Sequence, residues 1–121
     1  MKTHNVAIIG AGPGCLAIMD MMSSVQSGQP KMHIVGVADM NLQAPGIRKA
    51  KALNIFTTSN YKDLFSIPDL DLVIELTGDP DFIQTIQDEK LAHVHLMDHT
   101  VAKLFFDFSR LEDEERHVRG E

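Results

Sequence analysis

The sequence predicts an α/β protein: a doubly wound parallel sheet of about five strands, followed by a C-terminal helix. Three observations predict it. Short apolar runs alternate with helix-length segments along the chain. The runs are continuous, which is the pattern of strands covered on both faces. The first run ends in a glycine-rich turn, Gly10-Ala11-Gly12-Pro13-Gly14, that leads directly into a helical segment.

Taken in order, residues 6–9 (Val-Ala-Ile-Ile) are the first strand, rich in β-branched side chains. After the turn, residues 15–22 read as a helix and the polar stretch 23–30, with Gly28 and Pro30, as a loop. Residues 33–38 form the second buried strand and end at Asp39. Pro45 and Gly46 precede a helix over 47–53, with Lys and Arg on its outer face. Residues 55–57 are a weak third strand, and 61–65 one helical turn before Pro68. The fourth strand, 71–76, stops at Thr77-Gly78. Asp79-Pro80-Asp81 then opens a helix with a capping acid, an early proline and a further acid in the first turn, and it runs to about residue 90. Residues 94–97 are the fifth strand, and the pattern is helical from Thr100 to near the C-terminus.

Composition narrows the function. With 121 residues and 44 % hydrophobic content the chain can bury one sizeable core, so disorder is not expected as its main state. The net charge is −6, which argues against nucleic-acid contact, since that needs a basic face. One cysteine cannot form an internal disulfide. The longest apolar region, 6–22, is broken by Gly10, Gly12, Pro13 and Gly14 and suits neither a membrane span nor a signal peptide. The expected location is the cytoplasm.

The glycine turn is the strongest functional signal. Gly10 permits a tight turn off the strand, and Gly12 lets the backbone approach a pyrophosphate. The helix starting near Pro13 aims its free N–H groups and positive dipole end at that anion. Gly14 falls one place before the third glycine of the dinucleotide fingerprint, where this chain has Cys15, small enough to keep the helix close to the strand. Asp39 closes the second strand, where an acid binds the ribose hydroxyls of NAD and repels the extra phosphate of NADP. NAD is therefore the expected cofactor and NADP the less favoured one. His99 lies at the C-terminal end of the fifth strand, where parallel sheets bind ligands. The candidate cofactor-binding residues are Gly10, Gly12, Pro13, Gly14, Cys15, Asp39, Thr77, Gly78 and His99.

On the stretches 6–14, 35–39 and 72–78, residues 6 to about 100 resemble the NAD(P)-binding Rossmann half of the glucose–fructose oxidoreductase and inositol dehydrogenase family, whose plan homoserine and aspartate dehydrogenases share. The resemblance implies that Thr77 and Gly78 line the nicotinamide end. The chain departs from that family at Met97-Asp98-His99-Thr100, where those enzymes have a Glu-Lys-Pro segment, and their reaction needs a second, substrate-binding domain. The phrases Gly12-Pro13-Gly14-Cys15, Val37-Ala38-Asp39, Ala44-Pro45-Gly46, Glu75-Leu76-Thr77-Gly78-Asp79-Pro80 and Ala102-Lys103-Leu104-Phe105-Phe106-Asp107 are similar to Rossmann domains that precede sensor, histidine kinase or transcription-activator modules in bacterial signalling proteins. That likeness implies a ligand-sensing domain, 1–100, signalling through a helix over 101–121 to an output module.

The tail fits the same reading. Val101, Leu104, Phe108, Leu111, Glu115 and Val118 step by threes and fours, an a/d seam with one polar break. Its first half is expected to pack on the sheet. Its second half reads as a solvated helix end or as a signalling helix that pairs with a second copy into a homodimer. His93 and His95 share a strand face with His99 just beyond, but no closed metal-ligand set appears. Cys15 near a helix N-terminus invites a redox role, against the plainer one of a small packing residue. Asp69 and Asp71 read as turn chemistry, and the chain holds no identifiable catalytic set. The preferred expectation is a dinucleotide-binding sensor. The alternatives are the cofactor-binding piece of an NAD(P)-dependent oxidoreductase and an interaction scaffold with a dead site.

Overall fold

The computed structural model describes residues 3–23 and 31–107. Five strands, β1 (Thr3–Ile9), β2 (Lys31–Ala38), β3 (Phe56–Thr58), β4 (Leu72–Glu75) and β5 (His95–Met97), form one sheet in the order β3-β2-β1-β4-β5. All pairings are parallel. Consecutive parallel strands need crossovers, and these are α1 (Pro13–Ser23), α2 (Pro45–Ala52), a 3-10 helix (Tyr61–Ser66) and α3 (Pro80–Glu89). A last helix, α4, covers 99–107. The order reverses between β1 and β4, so the sheet has its switch point there, beside the glycine turn.

Each strand sends alternate side chains to opposite faces. Val6, Ile8 and Ile74 join Ile18, Met19, Ile47 and Ala102 in one core layer, under α1, α2 and α4. Ala7, Ile9 and Val73 join Leu64, Leu70 and Ile86 in the other, under the 3-10 helix and α3. The sheet is thus covered on both faces, as its continuous apolar runs require.

The helix starts follow from local chemistry. The Asp79 carboxylate caps α3 by accepting from the N–H groups of Asp81 (3.0 Å) and Phe82 (3.4 Å), with Pro80 next in the chain. Pro45 starts α2, and Lys49 and Lys51 lie in its last turn, favourable for the helix dipole. Lys49 reaches back to Asp20 at 2.6 Å and ties α2 to α1. Asp69 adopts a left-handed φ of 60°, and the Asp71 carboxylate accepts the Asn5 N–H at 2.8 Å, so both acids serve the lower edge of the sheet.

Several sequence expectations shift. The third strand is 56–58, one residue later than expected, because Ile55 still belongs to the α2 exit, where its N–H bonds Ala50 O at 2.8 Å. The fifth strand begins at His95, and His93 sits in the turn before it, so His93 and His95 do not share a strand face. The last helix begins at residue 99, not 100, since the Asp98 carboxylate accepts from Val101 N and the Asp98 carbonyl from Ala102 N, each at 2.9 Å. The expected packing of the a/d seam on the sheet is also corrected. Ala102 is the buried residue of α4, while Val101, Leu104 and Phe105 are 48 %, 64 % and 46 % exposed. The remaining seam positions, Phe108, Leu111, Glu115 and Val118, lie outside the described residues. Among the described residues no helix is long and apolar enough to cross a membrane.

Candidate functional site

The glycine turn runs from the end of β1 to the start of α1, over the C-terminal edge of the sheet. Gly10 has φ +104°, and a Cβ there would stand 3.0 Å from the carbonyl carbon of Leu76 and 3.1 Å from Thr77 N. Only glycine lets the turn after β1 meet the turn after β4 this closely. Gly10 N–H donates to Ala38 O at 2.9 Å, which ties the same point to the end of β2. Three strand ends therefore converge on one residue.

Gly12 is different in kind. A Cβ built on it meets nothing within 4 Å. The fold does not need glycine here, yet the position is open to whatever approaches the turn. Pro13 begins α1 and carries no N–H, and the N–H groups of Gly12 and Gly14 have no acceptor among the described residues. No acidic side chain occupies the first turn of α1. The open end of the helix thus presents unpaired donors and the positive end of its dipole to the same space.

Cys15 takes no part in that open face. It is fully buried, 3.8 Å from Met19 Sδ, and its N–H is used on Gly12 O. Burial, and then the negative charge of Asp39, push the thiol up to about 11, so it stays protonated and inert near neutral pH. This corrects its place among the cofactor contacts and removes the redox reading. The missing third glycine is made good on the neighbouring helix: a Cβ on Gly46 would come within 2.8 Å of Cys15 Sγ and 2.8 Å of Ala11 O. Gly46 is small so that Cys15 can be larger, and Gly46 N–H donates to Ala11 O at 2.7 Å.

Asp39 leaves the end of β2 and accepts from Ala11 N at 2.8 Å and from Asn41 N at 2.8 Å. Ala11 is therefore held at both of its backbone groups, its N–H by Asp39 and its carbonyl by Gly46. Asp39 also lines a cleft of about 210 Å³ with Ile9, Gly10, Ala38, Met40, Ser59, Tyr61, Thr77 and Phe82. The cleft lies over the ends of β1 and β2 and has apolar walls, with Asp39 at its edge. Phe82 and Tyr61 meet edge-on at 4.8 Å, and the Tyr61 hydroxyl donates to Glu89 at 2.6 Å, which fixes that wall.

The other half of the site centres on a residue that the sequence reading passed over. Glu75, the last residue of β4, is fully buried, and its carboxylate accepts four hydrogen bonds. Thr77 Oγ1–H (2.6 Å) and Gly78 N–H (2.7 Å) reach Oε2. His99 N–H (3.2 Å) and His99 Nδ1 (3.0 Å) reach Oε1. Burial raises the Glu75 carboxyl, but the bonds from Thr77, the His99 ring, Gly78 and the His99 backbone outweigh it and hold the group below its ordinary 4.5. The hydrogen bond to Glu75 raises the His99 imidazole above 6.5; partial desolvation opposes it, and the charges of Glu75 and Asp98 add to it. The signal for Glu75 was an acid at the end of an otherwise apolar strand run, which a buried strand keeps only with partners. Among the described residues no three His, Cys, Asp or Glu side chains converge as a metal set.

The structure thus brings Gly10, Gly12, Pro13, Gly14, Asp39, Thr77, Gly78 and His99 to one edge of the sheet. This edge is where open α/β sheets bind ligands. Three solved structures share the architecture. The first, from Desulfitobacterium hafniense, is assigned as an NADPH-dependent oxidoreductase and superposes with a TM-score of 0.64 at 16 % identity, over 81 % of this chain and 27 % of its own. Homoserine dehydrogenase from S. aureus gives 0.62 at 16 %, over 81 % and 26 %. The apo scyllo-inositol dehydrogenase from Lactobacillus casei gives 0.60 at 18 %, over 80 % and 28 %. The fold is Rossmann-like, as in these three structures. At these identities the likeness is one of fold, and the chain spans about a quarter of the length of those proteins. No family model and no curated protein matches the sequence.

Proposed function

We propose that this chain binds a nicotinamide dinucleotide, NAD in preference to NADP, as the cofactor domain of an oxidoreductase. The observation that carries the reading is Gly12: a glycine the fold does not require, at an open helix end with unpaired N–H groups, beside the switch point of the sheet. A pyrophosphate at that end would take the N–H groups of Gly12 and Gly14. The apolar cleft next to Asp39 suits the adenosine half, and the Asp39 charge disfavours a 2′-phosphate. When bound, the dinucleotide supplies hydride chemistry. The residues of this chain orient it and hold its charges, and a further domain would place the substrate. The dehydrogenase neighbours support this reading over a sensory one.

The test is a titration of NADH followed by its fluorescence, in the wild type and in Gly12→Val. Saturable binding in the wild type and its loss in a folded Gly12→Val protein support the proposal. Equal binding by both proteins contradicts it.

One observation favours the sensor as a second reading. Glu75 joins the turn at Thr77 and Gly78 directly to the first residue of α4, and α4 exposes Val101, Leu104 and Phe105. A ligand at the turn would act on that helix through one carboxylate, and pairing of two copies through the exposed stripe would pass the change on. Sedimentation that gives a monomer at every concentration, with and without NAD, rules this reading out.

A further inference from the structure

The sheet order sets out two halves of the ligand edge. The cleft runs from Asp39 and Met40 after β2, past Gly10, to Thr77 after β4. Strands β4 and β5 lie on the far side of β1 from β2, and their ends carry Thr77, Gly78 and His99. A dinucleotide whose phosphates sit at the turn and whose adenosine takes the Asp39 end of the cleft extends its other half toward β4 and β5.

His99 is held there in an unusual way. Its side chain is 37 % exposed, while the carboxylate that grips it is fully buried. Glu75 accepts from Thr77 Oγ1, Gly78 N and His99 N, and an ionised carboxylate only accepts, so its contact with the ring calls for a hydrogen on Nδ1. The remaining ring nitrogen, Nε2, has no partner among the described residues. Neutral His99 therefore offers a bare lone pair at Nε2, and protonated His99 offers a donor. The charges that bear on the ring are Glu75 on β4 and Asp98 beside it in the chain. Asp98 already accepts from Val101 N, and Lys103, one turn along α4, pairs with Asp107 at 3.1 Å. Both acids favour the protonated ring.

We propose that His99, protonated at Nε2, donates a hydrogen bond to the carboxamide oxygen of the nicotinamide, and that Glu75 is its positioning residue. The inference rests on the dinucleotide reading above and adds to it a proton-dependent contact. A neutral His99 turns a lone pair toward the same oxygen and loses the attraction. Affinity for NAD then falls as pH rises through the His99 titration, which the Glu75 hydrogen bond raises from the ordinary imidazole value. By linkage, NAD raises the pH at which His99 titrates. ADP-ribose, which keeps the adenosine, both phosphates and the second ribose but lacks the carboxamide, has no such contact.

The experiment is calorimetric titration of the wild-type chain and of His99→Gln with NAD and with ADP-ribose, from about pH 5.5 to about pH 9, across the histidine range. It is joined by nitrogen-15 NMR of the His99 ring, free and saturated with NAD. The expected result is an NAD affinity that drops about tenfold over that range, the worth of one charge-assisted hydrogen bond, while ADP-ribose affinity shows no His99-linked step. His99→Gln flattens the NAD profile, and the His99 midpoint moves up when NAD binds. The neutral ring carries its proton on Nδ1, and Glu75→Gln, where it folds, moves the midpoint down. NAD and ADP-ribose profiles that run parallel, or a His99 midpoint unmoved by bound NAD, overturn the contact and leave the dinucleotide reading in place. A neutral ring protonated on Nε2 overturns the role of Glu75. Absence of binding by both ligands at every pH overturns the dinucleotide reading and this inference together.

Discussion

The Asp39 carboxylate accepts the backbone N–H of Ala11 at 2.8 Å, across 28 residues of sequence. The acid that ends β2 therefore shapes the glycine turn itself, before any ligand arrives. On the next peptide of the turn, Gly46 N–H donates to Ala11 O at 2.7 Å. The turn is built by its neighbours on β2 and α2 as much as by its own glycines.

Asp39→Ala removes both the clamp on Ala11 and the charge at the edge of the cleft. NAD affinity falls about tenfold, by the loss of a charge-assisted bond that holds the turn. NADP loses less, because the repulsion of its 2′-phosphate goes as well. Parallel titrations with NAD and NADP check this, and an unchanged ratio of the two affinities contradicts it.

Gly46→Ala places a Cβ 2.8 Å from both Ala11 O and Cys15 Sγ. It destabilises the protein by about 1–3 kcal/mol through overpacking. Adding Cys15→Ala relieves the sulfur contact but not the backbone one, so the double variant recovers part of the loss. Urea denaturation of the four proteins of the cycle measures the coupling, and strictly additive losses contradict the contact.

Gly12→Ala leaves stability within about 0.5 kcal/mol of the wild type, since its Cβ meets nothing within 4 Å. Thermal unfolding checks this. A large fall in melting temperature shows that the glycine serves the fold, and the open position then no longer speaks for a ligand.

The Glu75–His99 pair gives stability a pH window. The Glu75 carboxyl is lowered in the folded state, so its contribution is complete above 4.5 and is lost as pH falls through the lowered value. The His99 imidazole is raised, so its contribution is complete below 6.5 and is lost as pH rises through the raised value. Both contributions are complete together between 4.5 and 6.5. Denaturant unfolding across pH shows the upper decline in the wild type and not in His99→Gln. Glu75→Gln loses about 2–4 kcal/mol, because a buried group with four donors around it is left partly unsatisfied.

Much of this fold was legible in the sequence because its signals are local. Continuous runs such as 6–9 mark doubly covered strands, and Asp79-Pro80-Asp81 marks a helix start from the capping chemistry of three residues. The glycine turn was legible for the same reason. What was hidden depends on partners far apart in the chain. Cys15 is buried because Gly46 makes room for it 31 residues later. Glu75 reads as a polar end to a strand until His99, 24 residues on, closes its hydrogen bonds. The outward turn of Val101, Leu104 and Phe105 is equally illegible, since a three-four spacing defines a stripe and not the direction it faces.

The central claim is that the open helix end at Gly12 and the cleft at Asp39 form one dinucleotide site. The most direct measurement is calorimetric titration of the chain with NAD, NADH, NADP and NADPH in parallel. Saturable one-to-one binding is expected, with the NAD pair tighter than the NADP pair. Heats no larger than dilution for all four at millimolar ligand would contradict it and leave the glycine turn as a structural joint between β1 and α1.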